Sequence, residues 1–115
     1  MKRKNTKAHQ GLVKKYTEAR YLYEKKQEDI DDHERELVED EDNLTILTAV
    51  PMGSNDGLKD WVKDLVECKT GVLKTLIGLL KGSQHYCEAE MEKYGSILVS
   101  DYGDNLDELY REAHP

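Results

Sequence analysis

Few side chains in this chain have the type and spacing that chemistry needs. His85 and Cys87 form a His-x-Cys pair with Glu88 and Glu90 beside them, the start of a zinc ligand set. On a helix, residues two apart point away from each other, and no further ligands stand at workable spacing. His33 has the residue type of a pH switch, but it occupies a seven-residue repeat, where a tolerated polar seam residue is the plainer reading. Carboxylates are abundant, yet in an acidic chain abundance does not single out a general acid and base. No glycine-rich phosphate loop, nucleophile elbow or His-Glu-x-x-His occurs. No catalytic, metal or cofactor-binding residue emerges, and the chain reads as non-enzymatic.

Charge is the second source of chemistry. The 115 residues carry 24 acids and 17 Lys and Arg, a net of −7. Residues 1–26 hold nine Lys and Arg against Glu18 and Glu24, a net of +7. Residues 27–115 hold eight against 22 acids, a net of −14. The basic set Lys2, Arg3, Lys4, Lys7, Lys14 and Lys15 could contact phosphates. No aromatic is interleaved at Met1–Lys7 and the body is acidic, so nucleic acid is not the expected partner. The acids Glu28, Asp29, Asp32, Glu36, Glu39, Asp40, Glu41 and Asp42 could mimic a nucleic-acid backbone, as an inhibitor of a host nucleic-acid enzyme of the anti-CRISPR or anti-restriction kind would. A solubilising face is the plainer reading. The bipolar layout suits steering of the basic segment onto an acidic region of another copy or of an outside partner.

These residues must be positioned by helices. With 37% hydrophobic and 36% charged residues, two prolines and no phenylalanine, the chain suits long amphipathic helices in one domain. The organising stretch is Leu58–Leu80, whose apolar residues fill about half of a helix circumference. Cys87, Met91, Tyr94, Ile97 and Leu98 keep its phase, predicting a helix over 57–98, with a bend at 82–83 as the variant. Upstream, Tyr16, Tyr23, Ile30, Leu37 and Leu44 recur every seven residues, with Leu12, Ala19, Lys26, His33 and Asp40 as companions. That is half of a coiled-coil seam and predicts a helix over 8–42. The run Glu39–Asp42 opposes the macrodipole at that helix's C-terminus and predicts fraying there. Residues 43–56 are β-prone, with Pro51 and a Gly-Ser-Asn-Asp-Gly turn, and predict an extended connector. A short helix follows over 104–113, and 1–7 is a frayed basic tail. The fold class is all-α, a long antiparallel, coiled-coil-like hairpin with a short C-terminal helix.

Lys69 falls inside the apolar arc. Its stem can pack while its ammonium snorkels to water, which is the expectation, or it can pair with an acid on the opposing helix and fix register. Cys68 borders the same arc and is expected to be a buried free thiol, with no disulfide to Cys87. Asn43-Leu44-Thr45 matches a glycosylation acceptor by chance. No apolar run spans a bilayer and no signal peptide precedes the helices, which predicts a cytoplasmic protein without membrane contact.

The segment Ala49-Val50-Pro51-Met52-Gly53-Ser54-Asn55-Asp56, followed by Trp61-Val62 and a Leu-rich helix, resembles part of the small phage-encoded late-transcription activators of Gram-positive hosts. The resemblance covers residues 12–80 and implies a helical regulatory protein of phage origin. That family ends in a helix-turn-helix without counterpart before Pro115, so DNA binding is not implied.

The expected function is a protein-interaction module, a phage-derived regulator or inhibitor that self-associates as a dimer or takes up a host or phage protein. With Asp42 level with Gly57, the charged stretch Glu24–Glu36 lies opposite Lys63–Thr75 and leaves Leu65, Val66, Lys69, Val72, Leu73 and Leu76 as the partner-binding residues.

Overall fold

A computed structural model describes residues 1–49 and 56–115, in three α-helices. They are α1 (Lys7–Ala49), α2 (Asp56–Tyr102) and α3 (Leu106–Ala113), and no strand occurs among the described residues. The fold is the expected antiparallel hairpin of two long helices with a short C-terminal helix. The chain divides into two compact units: Met1–Gln27 with Gly82–Pro115, and Glu28–Lys81.

The seven-residue repeat of α1 is its inward edge. Tyr16, Ala19 and Ile30 are buried, and Tyr23, Lys26, His33, Leu37, Asp40 and Leu44 are half-buried. Contrary to the expected end at Asp42, α1 runs on to Ala49. The β-prone residues there cost only tenths of a kcal/mol each in a helix, and the Thr45 hydroxyl donates to the Glu41 carbonyl at 3.0 Å. The acids Glu39–Asp42 therefore sit inside the helix, beyond the reach of its terminal dipole. The rest of the expected connector, 50–55, and most of the segment carrying the family resemblance lie outside the described residues.

The longer α1 also resets the register. Asp40, and not the stretch around Ile30 that the expected register puts opposite it, meets Lys69, and Glu34 meets Lys81. In the other unit Gln84 donates to Gln27 at 2.6 Å. The charged stretch Glu24–Glu36 therefore meets Lys81 and Gln84, and its last residue, Glu36, reaches into Lys63–Thr75 through Lys69.

Helix α2 passes through Gly82-Ser83 without interruption and reaches Tyr102, four residues beyond the expected end. Cys87, Leu98 and Tyr102 are buried on its inward face, which keeps one phase throughout. Gly103 then takes φ 64, the left-handed conformation that ends helices cheaply only at glycine. Its N–H donates to Val99 O at 3.0 Å, and the Asp104 N–H to Leu98 O at 3.1 Å. Asn105 caps α3, its side chain accepting from the N–H groups of Asp107 and Glu108.

The first unit has an apolar core of Tyr16, Leu98 and Tyr102, with Leu12, Val13, Met91, Ile97, Leu106 and Leu109 packed against it. The expected frayed tail is docked on this unit. Lys2 N–H donates to Asp101 O at 2.7 Å, Lys2 and Lys4 pair with Asp101 and Asp104 at 3.1 Å, and Arg20 meets Asp107 at 2.9 Å. The basic N-terminal segment is thus met by the acidic C-terminal segment of the same chain.

Candidate functional site

In the unit Glu28–Lys81 the apolar arc of α2 is wider than the face that α1 covers. Leu73 and Ile77 point inward and are buried, and Val62, Val66 and Leu80 are half-buried. Beside them runs an uncovered stripe of Trp61, Leu65, Val72, Leu76 and Leu79. Leu65, Val72 and Leu79 recur every seven residues and are 52%, 56% and 66% exposed. Seven-residue spacing keeps them in line along the helix, the pattern of a coiled-coil seam without its partner helix.

The expected partner-binding residues therefore divide. Leu65, Val72 and Leu76 lie on the uncovered stripe. Leu73, 5% exposed, belongs to the core, because the shifted register puts it under α1. Val66 is half-buried. Trp61 and Leu79, which the sequence placed only on the general apolar arc, are part of the stripe. Cys68 is exposed and Cys87 buried, the reverse of the expectation for Cys68, because Cys68 falls on the uncovered side of the arc.

Lys69 does not snorkel into water alone. Its ammonium lies 3.0 Å from Glu36 Oε1 and 3.0 Å from Asp40 Oδ2. Hydrogen bonds to Asp40 and then Glu36 push its pKa up. Two carboxylates held by one cation fix the register between the helices here.

The same contacts engage the acidic surface. Glu36, Asp40 and Glu41 pair with Lys69 or Lys74, and Asp32 with Arg35. Part of the negative charge expected to mimic a nucleic acid is thus balanced within the chain. Likewise, of the basic set, Lys2 and Lys4 are ion-paired and the Lys15 ammonium lies over the Tyr94 ring.

One constellation has no signal in the sequence. His9 Nε2 lies 2.6 Å from Asp104 Oδ2, both side chains being about 5% exposed. The ring stands 4.6 Å from Tyr102. His9 Nδ1 accepts from the Asn5 N–H at 3.1 Å, so Nε2 carries the proton and donates to the carboxylate. Burial alone would raise the Asp104 pKa, but hydrogen bonds from His9 and Lys4 outweigh it and hold the carboxyl below its ordinary 3.8. Both ring nitrogens are engaged and the nearby Thr17 hydroxyl donates to Val13 O, so the pair works as a structural clasp.

His85 is exposed and Cys87 buried, so the two side chains face different surroundings. Among the described residues no group of three or more His, Cys, Asp or Glu is placed to hold a metal, and no helix is long and apolar enough to cross a membrane. An apolar cleft of about 550 Å³ in the first unit is lined by Tyr16, Met91, Val99 and Leu106, with Glu92 its one charged group. Comparison with known protein families, with curated proteins and with solved structures finds no match to this chain.

Proposed function

We propose that this chain is a non-enzymatic protein-interaction module that uses the uncovered stripe of α2 to take up an apolar helix of another polypeptide. The observation that carries the reading is the line Leu65–Val72–Leu79, apolar at every seventh residue and more than half exposed. Apolar residues scattered over a surface need no explanation, but a contiguous line with helical period does. The stripe stands on a helix whose inward side is packed through Leu73 and Ile77, so presenting it requires no rearrangement of the core.

Affinity capture with the wild-type chain and with a Val72→Asp/Leu79→Asp variant tests the reading. A partner retained by the first and lost by the second supports it, provided both give the same helical circular dichroism. Equal retention by both overturns it.

A further inference from the structure

Resting on that reading, we propose that the occupant of the stripe is a cationic amphipathic helix, apolar along one seam and lysine- or arginine-rich on its flanks. The argument is one of charge complementarity at the two edges of the stripe. On one edge stand the residues that immediately precede each stripe position: Asp60, Asp64, Gly71, Thr75 and Gly78. This edge carries two carboxylates and no cation. A Cβ at Gly71 or Gly78 would meet nothing within 4 Å, so the edge is open to the long stems of an incoming lysine or arginine.

The other edge borders α1. Among the described side chains Lys69 is the one α2 cation there, and Glu36 and Asp40 both close on it at 3.0 Å. Two carboxylates against one ammonium leave an unbalanced negative charge beside the stripe. Asp29, seven residues before Glu36 on α1 and exposed, extends the same acidic edge. Lys63 pairs within α2 with Glu67 at 3.9 Å, and Lys74 and Lys81 reach Glu41 and Glu34, which lie on the opposite side of α1 from Glu36 and Asp40 by helical phase.

The unit as a whole, Glu28–Lys81, holds six Lys and Arg against 14 acids, a net of −8. The second copy expected from the sequence would bring an equal charge and the same two acidic edges against the first. A neutral helix would cover those carboxylates without pairing them, which carries a desolvation cost. A cationic helix satisfies both edges while its apolar seam covers Leu65, Val72 and Leu79.

Trp61, the single tryptophan, lies on the stripe and reports its covering by a blue shift in emission. The probe is a synthetic helix of three heptads with leucine at the seam and lysine at the flanks. A matched peptide carries glutamate at the flanks. The expected result is saturable binding of the lysine peptide that is at least about tenfold tighter than that of the glutamate peptide. It weakens several-fold as salt rises and screens the flanks, and is lost on Val72→Ser/Leu79→Ser at unchanged thermal melting. Equal binding of the two peptides, no salt effect, or no binding of the lysine peptide overturns the inference. Lysine-peptide binding that survives the double serine substitution overturns both the inference and the functional reading beneath it. Sedimentation equilibrium supplies the remaining outcome. A dimer of the free chain that dissociates on Val72→Ser/Leu79→Ser assigns the stripe to a second copy, which keeps the functional reading and overturns the cationic helix.

Discussion

His9 and Asp104, 95 residues apart in sequence, share a 2.6 Å hydrogen bond in a nearly dry environment. The bond ties the start of α1 to the turn between α2 and α3, and Lys4 adds a second contact to the same carboxylate at 3.1 Å. His9→Ala removes the donor and leaves a buried carboxylate short of a partner. The expected loss is about 2–3 kcal/mol of stability, read from urea unfolding followed by circular dichroism.

The same carboxylate sets an acid limit. Asp104 is held below its ordinary 3.8 in the folded chain, so the unfolded chain takes up this proton first as pH falls. The contribution of Asp104 is complete above about pH 4 to 5 and is lost as pH falls through the folded pKa. The stability difference between wild type and Asp104→Asn should therefore shrink between pH 5 and the acid limit of folding, as urea titrations at stepped pH would measure. A difference independent of pH over that range would contradict the assignment.

At the alkaline end Tyr110 is the residue to watch. Burial and the 2.6 Å hydrogen bond its hydroxyl donates to Glu24 push its pKa up to about 12. One of the seven tyrosines should therefore ionise about two units above the ordinary value of 10.0 in an absorbance titration, and Glu24→Gln should lower its midpoint. Because the folded value is raised, this contact stabilises α3 fully below about pH 10 and is lost as pH rises through 12.

Neighbouring residues of α2 should respond unequally to truncation. Leu73→Ala deletes a buried side chain and should cost about 2–4 kcal/mol. Val72→Ala deletes one that is 56% exposed and should stay within about 0.5 kcal/mol. A thiol assay gives a parallel check: Cys68 is exposed and Cys87 buried, so one equivalent should react fast and the second only on unfolding.

The glycines of α2 separate in the same manner. Gly71→Ala and Gly78→Ala meet no neighbour within 4 Å and should each stabilise the chain by about 0.5–1 kcal/mol through helix propensity. At Gly95 a Cβ would lie 3.2 Å from Leu106 and 3.3 Å from Tyr16, so Gly95→Ala should forfeit that gain. Thermal melting of the three variants makes the comparison.

Helical period carries much of this architecture on the surface of the sequence. The line Tyr16, Tyr23, Ile30, Leu37 and Leu44 marks the inward edge of α1, and the phase shared by Leu73, Cys87 and Leu98 marks α2. Register was not legible, because it depends on where α1 ends, and local propensity at Thr45–Ala49 argues for a connector where helix in fact continues. That error placed Leu73 on the surface. The stripe was legible as an arc too wide for one neighbour, but which half of the arc stays open follows from the rotation of α2 that turns Leu73 and Ile77 inward. The His9–Asp104 clasp had no sequence signal, since its two residues meet only once both helices are in place.

The span of chain closed by each contact has a kinetic consequence. In the unit Glu28–Lys81 the ion pair of Lys69 with Asp40 closes 29 residues. In the other unit the Tyr110–Glu24, Arg20–Asp107 and His9–Asp104 contacts close 86, 87 and 95. Loop-closure entropy grows with the logarithm of that span, so the wider set costs about 1 kcal/mol more to initiate. Zipping from the middle of the chain outward shortens each remaining loop as it proceeds. The folding rate of this helical protein should therefore be sensitive to substitutions near Ile30 and Ile77, while those at His9 or Tyr110 chiefly accelerate unfolding.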